Sequence, residues 1–166
     1  MSNLVPAGGR SLAVTDDPAK KATVDYVTVM IDDQLFGIPV LQVQDVLAPQ
    51  AITRIPLAPA EVAGSLNLRG RIVTAIDVRT RLGLPRRQSS ERQMSVVVDM
   101  GGELYSLIVD GVGEVLTVQE NAFERNLATL DPVWRKVSTG IYRLKEGLLV
   151  VLDVSRLLTL KGQEAA

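Results

Sequence analysis

The chain has 166 residues, 46% of them hydrophobic and 22% charged, enough for one domain or for two small fused barrels. Its 18 Lys and Arg face 19 Asp and Glu for a net charge of −1, so no overall field draws nucleic acid or an anionic membrane, and partners must be met by local patches. Cys and His are both absent, which excludes disulfides, thiolate and imidazole metal ligands, Cys or Ser–His nucleophiles and the ordinary near-neutral proton shuttle. No cofactor, no metal site and no catalytic residue is therefore expected.

Residues 1 to about 22 mix Gly8-Gly9, two prolines, Asp16-Asp17 and Lys20-Lys21 without periodicity and read as a mobile tail. They lack a basic segment followed by a long apolar core, and no apolar run approaches the ~20 residues of a membrane span, so a cytoplasmic protein without membrane insertion is expected. Structure should begin near Val24. Strands are predicted at 26–31 and 35–38 around a hairpin tip at Asp32-Asp33. Pro39 cannot donate to a ladder and ends the second strand or puts it at an edge. Val40, Val43, Val46 and Leu47 fit one helical turn or a turn followed by a strand at 44–47, and the second is favoured.

Three prolines between Pro49 and Pro59 impose an extended loop, with Ile52 and Ile55 as apolar anchors. The stretch from Gly64 to Val78, GSLNLRGRIVTAIDV, then reads as a hairpin of strands 65–69 and 72–76 turning at Arg69-Gly70-Arg71. Asp77 precedes Val78 to Leu82, where a short carboxylate accepts from the open N–H groups of a helical turn that Gly83 and Pro85 close. Pro85 to Arg92 is a polar connector.

The second half repeats the first. Adding 69 carries Val27, Val29, Leu35, Phe36, Ile38, Val40, Val43, Asp45, Val46 and Leu47 onto Val96, Val98, Leu104, Tyr105, Leu107, Val109, Val112, Glu114, Val115 and Leu116. Adding 76 carries Gly64, Leu66, Leu68, Ile72, Val73, Ile76, Asp77, Val78 and Leu82 onto Gly140, Tyr142, Leu144, Leu148, Leu149, Leu152, Asp153, Val154 and Leu158. The growth of the offset places an insertion between Thr117 and Thr139, where loop length costs little. Further strands are thus predicted at 95–100, 104–109, 113–118, 140–144 and 148–152. Short strands at this spacing indicate small barrels, and a second copy lets each half bury an apolar outer face.

At Asn67-Leu68-Arg69-Gly70 the chain resembles the CheW family of chemotaxis coupling proteins. The likeness runs over nearly all of 24–160, through an opening motif of Phe36-Gly37-Ile38-Pro39 followed by Val43-Gln44-Asp45-Val46, then Ile52 to Pro56, Gly64 to Arg71, Val109 to Val112 and Leu152-Asp153-Val154. Five motifs in order are specific evidence. The resemblance implies an all-β fold of two intertwined five-stranded SH3-like barrels with short helical turns, occupying 23–161, with repeats at about 24–84 and 94–160. It also implies a non-enzymatic scaffold joining the cytoplasmic tip of methyl-accepting chemoreceptors to the regulatory domain of the histidine kinase CheA, recruited to membrane receptor arrays. Carried over residue by residue, the partner-binding positions are Val43, Asp45, Gly64, Asn67 and Arg69. The family often has Glu where Asp45 stands, so an ion pair to Arg69 would be reached differently here.

Plainer readings stand beside these. Arg69 is either a binding residue or a solvated charge on a turn. Gly64, Gly70 and Gly140 read as turn residues with positive φ, and Gly111-Val112-Gly113 lacks the following helix of a nucleotide loop. Asp77 and Asp153, equivalent in the repeat, read as helix caps and not as an acid/base pair. Trp134 is a lid on the core or a partner contact. Two other functions remain: an adaptor of a chemosensory system for pili or second messengers, and a duplicated barrel that binds a small ligand or acts as an enzyme, which needs a deep polar pocket between the barrels.

Overall fold

A computed structural model describes residues 22–85, 93–125, 128 and 130–159. The expected N-terminal tail and connector therefore lie almost wholly outside the described residues. The described residues form ten strands: β1 (Thr23–Ile31), β2 (Gln34–Pro39), β3 (Val43–Leu47), β4 (Val62–Leu68), β5 (Arg71–Asp77), β6 (Met94–Met100), β7 (Glu103–Val109), β8 (Gly111–Gln119), β9 (Ser138–Leu144) and β10 (Gly147–Leu152). Short helices α1 (Val78–Arg81), α2 (Pro132–Arg135) and α3 (Val154–Leu158) fill the joints. The ambiguous segment after Pro39 resolves as a 3₁₀ turn, Val40–Gln42, and then strand β3.

The strands form two five-stranded sheets, ordered β9-β10-β2-β1-β8 and β3-β6-β7-β5-β4. Each sheet takes two strands from one repeat and three from the other. The first two strands of each repeat are thus exchanged, which is the intertwining the family likeness implies. The pairings are reciprocal residue by residue. In β3 and β6, Val43 faces Val98 and Val46 faces Val96; in β8 and β1, Val112 faces Val29 and Val115 faces Val27. The parallel contacts match too, Thr74 and Ala75 on Tyr105 and Ser106, Val150 and Val151 on Phe36 and Gly37. Even the register irregularity recurs, between Val43 and Asp45 in one sheet and between Val27 and Val29 in the other.

Three apolar clusters follow from this exchange. One barrel interior holds Leu66, Val73, Ala75, Val97 and Leu104; the other holds Tyr26, Tyr142, Leu149 and Val151. The largest cluster, with Val29, Phe36, Ile38, Ile76, Val98, Leu107, Ile141 and Leu152, mixes residues from both sheets and joins the barrels. That joint is the apolar outer face that a duplicated half needs to bury. Trp134 packs edge-on against Phe36 with ring centroids 5.1 Å apart, so it is a lid on this core.

The turns obey their residues. Asp32 and Asp33 (φ 52° and 65°), Arg69 and Gly70 (51° and 87°) and Gly101 and Gly102 (64° and 89°) are two-residue loops with both central φ positive, the geometry that matches the twist of a tight hairpin. Asp77 accepts from the Thr80 N–H at 3.4 Å and Asp153 from the Arg156 N–H at 3.2 Å, so both cap helices. Gly140 departs from expectation. It lies within β9, its φ is not positive, and the reason for glycine is space: a Cβ would collide with Phe123 and with the Glu124 carbonyl. Gly64 has φ +150° but likewise sits within a strand, against Ile52 and the Thr53 carbonyl, and not in a turn.

Candidate functional site

The residues singled out by sequence gather around the seam of the second sheet. Its edge strands are β3 and β4, and the sheet curls until Arg69, in the turn after β4, places Nη2 3.0 Å from Oδ2 of Asp45 on β3. The arginine side chain is 76% exposed and the carboxylate only 24%. Asp45 Oδ1 meanwhile accepts from the Val46 N–H at 2.9 Å, which fixes the carboxylate. The result is a held acid with a cation lying over it, its guanidinium open to a partner.

Asn67 plays a supporting part. Its Oδ1 accepts from the Gly70 N–H at 2.9 Å and pins the turn that holds Arg69 at positive φ. Arg71 reaches across to donate to the Gly102 carbonyl at 3.0 Å, tying this turn to the β6–β7 hairpin. Gly64 is buried, and the missing side chain lets Thr53 and Ser65 exchange two 2.8 Å backbone hydrogen bonds. Val43 is half-buried at the edge of the joint between the barrels. Of the five expected positions, then, Asp45, Asn67 and Arg69 share one site, while Gly64 and Val43 shape the framework beneath and beside it.

Exposed apolar residues that sequence reasoning passed over adjoin the seam. Val46 follows Asp45 on β3, and Ile72, 71% exposed, is the register partner of Asn67 on β5. Leu41, in the turn leading into β3, is 95% exposed. In the loop between β3 and β4, Leu57 is fully exposed at φ +64°, a backbone region costly for a branched side chain. That loop, with Val62, Ala63 and Asp77, lines a cavity of about 460 Å³.

A larger cavity, about 660 Å³, lies where α1, α2 and α3 meet, lined by Thr80, Arg81, Leu82, Gly83, Val133, Lys136, Val137, Arg156 and Thr159. Among the described residues no carboxylate is in this lining.

Comparison with known proteins agrees with this geometry. Residues 25–161 match the CheW-like domain family model. The chain is 27% identical to the chemotaxis protein CheW of Klebsiella aerogenes over 135 residues, 81% of each chain. It is 27% identical to the CheW of Thermotoga maritima over 134 residues, covering 81% of this chain and 87% of that one. Among solved structures, the scaffolding protein TtCheW of Thermoanaerobacter tengcongensis superposes with a TM-score of 0.78 at 27% identity, over 86% of this chain and 97% of that one. The fold and these matches define an all-β chemotaxis scaffold built on duplicated barrels. The chain belongs to the CheW family.

Proposed function

We propose that this protein is a coupling adaptor that holds the cytoplasmic tip of methyl-accepting chemoreceptors and the regulatory domain of the histidine kinase CheA together, without performing chemistry, at receptor arrays on the cytoplasmic side of the membrane. The observation that carries the reading is the seam: Arg69 lies outward over Asp45, with exposed Val46, Asn67 and Ile72 on adjoining strands of one barrel exterior. A cation beside exposed apolar side chains is the composition of a protein interface, where a few anchors supply most of the energy and charge supplies register. A micromolar complex needs about 8 kcal/mol, within reach of such anchors. Two apposed barrels also provide separate faces, so receptor and kinase domain can be held at once.

Calorimetric titration with purified kinase regulatory domain and with a receptor-tip peptide tests the reading. Binding of both at tens of micromolar or tighter, weakened for at least one partner by Arg69→Ala and more by Arg69→Glu, is expected. Absence of binding to either partner overturns it.

A further inference from the structure

We propose that the cavity between α1, α2 and α3 is a binding site for a small organic phosphate. Its volume, about 660 Å³, is in the range of small-molecule sites. Among the described residues its charged lining is cationic, Arg81, Lys136 and Arg156, although the whole chain carries a net charge of −1. Among the described residues no carboxylate lines the cavity: Asp77 and Asp131 accept from backbone N–H groups of their own turns, and Asp153 does the same while pairing with Arg156 from outside the lining.

The arginines are held in place. Arg81 donates from Nε and Nη2 to the carbonyls of Leu157 and Arg156 at 2.9 and 3.0 Å. Arg156 approaches Asp153 at 3.3 Å and donates to the Ser138 carbonyl at 3.3 Å. Side chains ordered in advance lose little entropy when an oxyanion arrives, and guanidinium groups suit phosphate geometry. Leu82, Val133 and Val137 supply an apolar wall for the organic part of the ligand.

Isothermal titration of the full chain with tripolyphosphate, in about 150 mM KCl where exposed charges act over only ~8 Å, tests the assignment. Lys136 is exposed and its replacement leaves the fold intact, so Lys136→Gln is compared with Lys145→Gln at the distant β9–β10 hairpin. Saturable binding at one site per chain, weakened about five-fold by Lys136→Gln and unchanged by Lys145→Gln, is the expected result. No saturation by about 10 mM, or equal effects of the two substitutions, overturns the site.

Discussion

Gly64 and Gly140 occupy equivalent places in the two repeats and answer the same demand, close approach of a neighbouring chain segment. Thr53 and Ser65 bridge beside one, Glu124 and Ile141 beside the other. A methyl group at either position meets backbone, which cannot move aside, so Gly64→Ala and Gly140→Ala should each lower stability by about 2 kcal/mol or more in urea titration. Arg69 behaves oppositely. Its exposed pair with Asp45 contributes only ~0.2–1 kcal/mol, so Arg69→Ala should leave the melting curve nearly unchanged while partner binding falls. Tyr26 adds a pH dependence. Burial, reinforced by Tyr142, raises its hydroxyl well above the ordinary 10.0. Because the folded form keeps a proton that the unfolded chain gives up, stability is full below pH ~10 and declines above it, and Tyr26→Phe should blunt that alkaline loss in melts followed from pH 8 upward.

At the scale of elements, the two repeats are joined by more than apolar contact. Arg79 on α1 donates from Nε to Asp110 at 3.0 Å and lies 3.6 Å from Asp32, while Asp110 also accepts from the Asp32 N–H at 2.8 Å. This cluster, half-buried at Arg79 and Asp110 and exposed at Asp32, ties α1 and the β1–β2 hairpin to the β7–β8 junction. Arg79→Ala leaves half-buried carboxylates there without their cation and should cost about 1–2 kcal/mol, read as a shift of the urea midpoint. The sequence made most elements legible because strand period, hairpin residues and caps are local signals. Asp32-Asp33, Arg69-Gly70 and Asp77 each declare their geometry through a neighbour a few residues away. What stayed hidden depends on residues far along the chain. Ile72 and Ile76 share one strand face; the second barrel covers Ile76 and stops short of Ile72, and no local pattern tells them apart. Gly64 and Gly140 hide their reason likewise, since the segments that crowd them, Ile52-Thr53 and Phe123-Glu124, lie well before them along the chain.

The whole molecule inherits its architecture from the exchange of strands. Residues 22–85 hold two strands of one barrel and three of the other, and 93–159 hold the complement, so neither half contains a complete sheet. Expressed alone, each half should lack cooperative melting, while the two refolded together should recover it; independent folding of either would contradict the exchanged architecture. The duplication was visible in the sequence as matching offsets, yet offsets cannot say whether matched strands pair within a repeat or across it. The family likeness supplied that expectation, and the reciprocal registers bear it out. The measurement closest to the central claim is sedimentation velocity on this chain mixed with both kinase regulatory domain and receptor-tip peptide. A single complex containing all three, formed at concentrations where each pair also binds, is the predicted result. Mutual displacement of the two partners from one face would contradict an adaptor that holds both at once.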